Sequence, residues 1–163
     1  MRFTYSFTKD YQEARNIENN PKEFEGLSSV IPSNFKLTGK IRAFIKGVLS
    51  IPRAYYVWTS HQKEIGNALK DHGLILPQTT CYLYNFGCKG WFDTDTNTIH
   101  ARFTQSPNDD LLETIIHELL HLATYKEEYN YHERETIVDD YLEKMNFKFI
   151  NFERQKLTQN LNK

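Results

Sequence analysis

A chain of 163 residues is long enough to bury one core without disulfides or obligatory oligomerisation, and 20 basic against 21 acidic side chains make no global case for a charged partner. No apolar run approaches the roughly 18 residues that a membrane span needs, and the first 20 residues alternate charge with aromatics. The expectation is therefore one cytoplasmic domain with neither signal peptide nor transmembrane helix, and no membrane partner.

Residues 1–36 carry few long apolar repeats and do not speak of function. Arg2 to Thr8 reads as a short strand, Asp10 to Ile17 as a helix and Asn19-Asn20-Pro21 as a turn, and residues 1–60 could form an N-terminal extension or accessory region. Between Thr38, a plausible N-cap, and Leu49, the apolar residues Ile41, Phe44, Ile45, Val48 and Leu49 keep the 3.6-residue period, which predicts a helix with these residues on its buried face. Charge is uneven here: residues 26–63 hold Lys36, Lys40, Arg42, Lys46, Arg53 and Lys63 and no acid, whereas residues 109–143 hold 11 acids against Lys126 and Arg134. Two solvated faces that attract each other account for this, and an anionic partner such as nucleic acid along Lys36 to Arg53 is the sharper alternative.

Ala54 to Trp58 reads as a strand or the end of one, and Ser60 caps a predicted helix from His61 to Lys70 that stops at Asp71-His72-Gly73. Extended segments follow at Ile75 to Pro77 and Cys81 to Tyr84, then turn-like stretches at Gly87 to Trp91 and Asp93 to Asn97. Cys81 and Cys88 match no common zinc or redox spacing; they read as two half-buried structural thiols, a disulfide being disfavoured in a reducing compartment. Thr98 to Phe103 alternates with period two, which turns Ile99, Ala101 and Phe103 to the core and His100 and Arg102 outward.

Ser106 as N-cap, Pro107 at the first helical position and Asp109 closing an S-x-x-D box announce the next helix. Its apolar positions 112, 115, 116, 119 and 123 form one stripe, and His117-Glu118-Leu119-Leu120-His121 lies on the flank. His117 and His121, four residues apart, present both imidazoles on one face to a single ion, and Glu118 can reach the ion's open side. Two histidines at this spacing also occur as ordinary partly buried side chains, so the flanking helices and strand have to supply the rest of a site.

Tyr125 to Asn130 reads as a loop, and Ile137, Val138, Tyr141, Leu142 and Met145 define a second helix from about Tyr131 to Met145. A catalytic zinc needs a third protein ligand and an open position. Glu127, Glu128, His132, Glu133, Glu135 and Asp139 are the acids and histidine at hand. With Val138 at the centre of the apolar face, Glu135 lies about 60° away, Asp139 about 100° and His132 about 120°, so Glu135 is turned most nearly toward the first helix and His132 is the next candidate. Asp139 and Glu113 compete to accept the free N–H of a ligand histidine. Asn146 to Phe152 reads as a short extended return before a polar tail.

HELLH, a fourteen-residue step from His121 to Glu135, and Glu135 to Asp139 as E-x-x-x-D resemble a compact gluzincin or minigluzincin metallopeptidase, over about residues 90–145. The strand before the helix also resembles SprT-like zincins, although no H-G-x-x-W/F follows. The long metzincin motif is absent, because Thr124 stands where it has Gly and Glu127 where it has His. The resemblance implies an α+β zincin-like fold, with a short mixed sheet whose edge strand lies beside the HExxH helix and a ligand-bearing helix after it. It further implies one zinc per chain on His117, His121 and Glu135, Glu118 as the base that takes the proton of a zinc-activated water, Asp139 in support, and a protein or peptide as substrate. Tyr125, Tyr129, Tyr131 and His100 are the donors available for the developing oxyanion. If Thr98 to Phe103 is a sheet edge, an extended peptide can add to it as a strand. Two alternatives stand beside this: a zinc-stabilised binding or regulatory protein without catalysis, and a SprT-like protease of DNA-associated proteins that uses the basic segment from Lys36 to Arg53.

Overall fold

The computed structural model describes residues 1–20, 37–86, 89–103 and 108–149. Chain order is β1 (Arg2–Tyr5), α1 (Phe7–Asn19), α2 (Leu37–Asp71), β2 (Thr80–Tyr84), β3 (Gly90–Asp93), β4 (Thr98–Arg102), α3 (Asn108–Thr124) and α4 (Tyr131–Met145). Among the described residues four helices and a four-stranded mixed sheet make a small α+β domain, as the resemblance implied. Strand order is β1-β2-β4-β3; β1, β2 and β4 run parallel, and β3 is antiparallel to β4 with Trp91 opposite His100 and Phe92 opposite Ile99. No described helix is long and apolar enough to cross a membrane.

Strand β4 is therefore interior, and the edge strand beside the HExxH helix is β3, in part of the stretch that reads as a turn. The turn that joins them is the expected one at Asp93 to Asn97. The Asp93 carboxylate accepts from the Asp95 and Thr96 amides at 2.9 and 3.2 Å, and Asn97 takes a left-handed φ of 50°. Ile99, Ala101 and Phe103 face the core as their alternation requires. His100 does face the opposite side of the sheet, yet it is buried, clamped between Tyr82 at 5.1 Å and Trp91 at 3.4 Å between ring centroids. Burial and the Lys9 charge lower its pKa to about 4.

One continuous helix replaces the predicted helix, strand and second helix of residues 38–70. Leu37 is already helical, so Thr38 is not its cap, and Ala54, Val57 and Trp58 are buried while Tyr55 and Tyr56 are exposed, an i, i+3, i+4 pattern that no strand produces. Pro52 sits within the helix on its exposed side, where water can replace the donor it lacks. The predicted stop is real: Gly73 has φ 73° and the Leu74 amide donates to the Leu69 carbonyl at 2.9 Å.

The apolar face of that helix is reversed from expectation. Ile41, Phe44, Ile45, Val48 and Leu49 are exposed, and Ala43, Gly47, Ser50 and Ala54 are buried. Small residues win the inner side because β1 and the end of β2 approach the helix backbone closely. The Tyr5 ring fills the space a Cβ on Gly47 would take, and Asn85 Nδ2 donates to the Ala43 carbonyl at 3.1 Å. Tyr5 and Asn85 also close on buried Asp10, which accepts from the Tyr5 hydroxyl at 2.8 Å and from the Asn85 amide at 2.8 Å.

Helix α3 packs between the sheet and the helices α2 and α4, with Leu111, Leu112, Ile115, Ile116, Leu119 and Leu120 all buried. Helix α4 has the predicted bounds, set by an Asn130–Glu133 capping box and an Asn146 C-cap at φ 42°. Ser106, Pro107, Cys88 and the chain beyond Phe149 lie outside the described residues, so the predicted S-x-x-D cap does too. Of the extended return expected over Asn146 to Phe152, residues 146–149 instead form the left-handed C-cap and a turn that buries Phe147, and the rest lies outside the described residues. Cys81 is buried with a free thiol, as a structural cysteine would be.

Two glycines of α2 make the packing testable by urea denaturation. Gly47→Ala drives a methyl into the Tyr5 ring and should destabilise by about 1–3 kcal/mol despite the helix-propensity gain. Gly66→Ala meets nothing within 4 Å and should stabilise by about 0.5–1 kcal/mol. Equal signs for the two would contradict the close approach at Gly47.

Candidate metal centre

A helix buried on the sheet side and on the α2 side has few places for polar residues. In α3 the polar side chains Thr114, His117, Glu118 and His121 fall at i, i+3, i+4 and i+7, one stripe that runs past β3 and α4. The short Tyr125 to Asn130 connection returns the chain so that the second turn of α4 faces the two histidines. Glu135 is the acid delivered there, with its side chain 12% exposed against 17% for His117 and 6% for His121.

The three side chains converge. His117 Nε2 and His121 Nε2 lie 3.0 Å apart, and the Glu135 carboxylate oxygens stand 3.4 Å from His117 Nε2 and 3.1 Å from His121 Nε2. Four ligands at the usual zinc–nitrogen and zinc–oxygen distances of about 2.0–2.1 Å are about 3.3 Å from one another, so this triangle has the dimensions of one face of a tetrahedral site. Two imidazoles and one carboxylate are also the donor chemistry that suits zinc. No other set of three or more His, Cys, Asp and Glu side chains among the described residues gathers in this way.

Electrostatics follows from the same contacts. Burial pushes the Glu135 carboxyl up, but the hydrogen bonds and charges of His117 and His121 outweigh it and hold it down at about 2. Burial disfavours protonated His117, and the hydrogen bond to Glu135, with the charges of Glu118, Glu135 and Asp139, outweighs that and raises its pKa. Among the described residues Glu118 has no such partner in contact. Burial lifts it to about 7, opposed by the His117 charge and reinforced by that of Glu135.

The other sequence candidates are distributed around this centre. Asp139 is exposed, one turn beyond Glu135, and acts on His117 through charge; no hydrogen bond joins it to either histidine among the described residues. Glu113 is engaged by Lys89 at 3.4 Å. His132 is exposed and meets Tyr131 edge-on, and Glu127, Glu128 and Glu133 are exposed too. Tyr131 is largely exposed, and partial burial followed by the nearby Glu135 charge raises its phenol pKa, which places it as the tyrosine nearest the centre in effect. Tyr129 pairs with Lys126 at the surface, Tyr125 lies under the Arg134 guanidinium, and His100 is on the far side of the sheet.

Two residues of β3 were not singled out in the sequence. Phe92 stacks on His121 with centroids 5.0 Å apart and planes 10° from parallel, which fixes the imidazole's tilt. Gly90 lies against Glu118, where an added Cβ would collide with Oε1 and approach Thr114 Cγ2 at 2.7 Å. Their signal was the alternation Gly90, Phe92 on one face and Trp91, Asp93 on the other, visible once the segment is taken as a strand.

Comparison of the chain with protein-family models, curated proteins and solved structures finds no match to any of them.

The buried Glu118 predicts a stability signature in metal-free protein. Its folded pKa is raised above the ordinary 4.5, so its contribution is fully present below about 4.5 and is lost as pH rises through about 7, a loss worth about 3 kcal/mol. Glu118→Gln should match the parent near pH 4 and exceed it in denaturant midpoint at pH 8. Parallel pH profiles for the two proteins would show that Glu118 is not desolvated.

Proposed function

We propose that this chain is a zinc-dependent peptidase. The observation that carries the proposal is the convergence of His117, His121 and Glu135 at tetrahedral-edge distances beside a buried carboxylate, Glu118, on the same polar stripe. Zinc held by the three side chains would supply a Lewis acid that polarises the scissile carbonyl and makes water acidic near neutral pH.

The protein's own groups do the rest. Glu118 does not touch Glu135 or the histidines, so it remains available to take a proton from the attacking water and return it to the leaving amine. Its raised proton affinity suits it to hold that proton between the two events. Gly90 leaves the space in which the carboxylate stands, and Phe92 and Glu135 orient His121 from two sides. The Tyr131 hydroxyl, beside Glu135, is the donor for the oxyanion. An extended substrate would lie along β3, the sheet edge nearest these groups, and bind through its own backbone, which tolerates varied side chains.

Purified protein loaded with zinc and dialysed should retain about one ion per chain by atomic emission. Glu118→Gln should keep the metal and lose hydrolysis of an unfolded protein substrate by at least about 100-fold. Glu135→Ala should weaken zinc retention far more than His132→Ala, and the reverse order would reassign the third ligand. Gly90→Ala should reduce hydrolysis with zinc retained, since it displaces the base and not the ligands. Stoichiometric zinc with no hydrolysis by the parent chain would instead mark a non-catalytic metal protein.

A further inference from the structure

Over its first half α2 is built inside out. Its inner side is made of Ala43, Gly47, Ser50 and Ala54, whereas Ile41, Phe44, Ile45, Val48 and Leu49 are between 44% and 66% exposed. At about 100° per residue the outward set, continued by Tyr55 and Tyr56, stays within about 140° of the helix circumference, nearly opposite the buried set. From Ile41 to Tyr56 the stripe is about 22 Å long. Scattered exposed apolar side chains are ordinary on a protein surface, but a continuous stripe of this length marks an interaction face.

Charge borders the stripe with one sign. Arg42, Lys46 and Arg53, all exposed, fall within about 40° of one another along one margin, and Lys40 lies on the other. Residues 26–63 contain no Asp or Glu.

We propose that this face of α2 docks flat on an anionic phospholipid surface. The aliphatic side chains enter the boundary between headgroups and acyl chains, Phe44 lies at the margin with one edge on Phe7 of α1, Arg42, Lys46 and Arg53 meet the acidic headgroups, and Tyr55 and Tyr56 sit at the interface. A helix lying in the plane of a bilayer needs no crossing segment, so the absence of one, on which the expectation of no membrane partner rested, does not bear on this geometry.

The charge pattern selects this occupant over two others. A second copy paired through the stripe by a two-fold axis would set the Arg42 to Arg53 margin against itself, or against Lys40 if the helices ran parallel, with no acid on the segment to relieve the repulsion. A nucleic acid would satisfy the cations but would leave the apolar stripe facing a hydrated polyanion. An acidic lipid surface accommodates both parts. Docking also leaves the metal centre accessible: Tyr5, which packs on Gly47, belongs to β1, and Phe92, which packs on His121, belongs to β3, the two opposite edges of the sheet. The inference is independent of the peptidase proposal.

Sedimentation of the full chain with vesicles tests it. The chain should pellet with phosphatidylcholine vesicles containing about 30% phosphatidylserine and not with phosphatidylcholine alone, and added salt should release it. Lys46→Gln should weaken binding about fivefold. Leu49→Asp should abolish binding with an unchanged melting curve, as should Ile45→Ser in part. Tryptophan placed by Val48→Trp should shift its emission to the blue on anionic vesicles only. Failure to bind anionic vesicles, or equal binding by Leu49→Asp, would overturn the proposal. So would a concentration-dependent dimer lost in Leu49→Asp, or salt-sensitive binding to duplex DNA, without vesicle binding in either case.

Discussion

The structure depends on keeping ionisable groups on a helix whose middle is otherwise largely apolar and buried. Helix α3 lies between the sheet and two helices, and six of its aliphatic side chains are sealed from water. Isolated charges in such a place would each cost several kcal/mol. The chain resolves this by aligning the polar positions in a single stripe and by turning α4 back so that Glu135 meets both histidines. The loop between the helices is short for this reason, and the capping box of α4 holds the first turn so that the acid in the second turn arrives on the correct side.

Glu118 is the exception inside this arrangement. It shares the burial of its neighbours without sharing their contacts, and the energetic cost remains in the folded state as a raised proton affinity. A carboxyl held this way costs stability once it ionises. The contrast with Asp10 is instructive. That carboxylate is just as buried and burial raises it too, but Tyr5 and Asn85 close around it, oppose that rise and tie β1, α1 and the end of β2 together.

How much of this was legible in the sequence depended on the range of the cause. The α4 helix could be read to its ends because the apolar period of Ile137, Val138, Tyr141, Leu142 and Met145 is a local signal, and Glu135 could be picked from six candidates because helical geometry is rigid over one turn. Hydrophobic periodicity, in contrast, carries no sign: the apolar set at 41, 44, 45, 48 and 49 and the small set at 43, 47, 50 and 54 share the same period, and only the approach of Tyr5 decides which is inside. Ala54 to Trp58 misled for a related reason, since aromatic and β-branched residues favour strands weakly and the neighbouring helix overrides them. Strand β3 escaped notice because four residues with a leading glycine read as a strand only beside their partner. The exposure of His100 was misjudged because both flanking strands place a ring against it, a fact about register and not about residue type.

The β3–β4 hairpin gives the centre a mechanical reference. Gly90 and Phe92, on one face of a strand with a single neighbour, contact the buried acid and one imidazole, and both contacts depend on the pairing of Gly90 with Ala101 and Phe92 with Ile99. A slip of one residue would present Trp91 or Lys89 to α3 and send Phe92 to the opposite face. The Asp93 carboxylate and left-handed Asn97 set that register from the far end of the strand. The tight turn thus acts as a vernier for a centre it never touches, since its polar residues set the position of side chains several residues away.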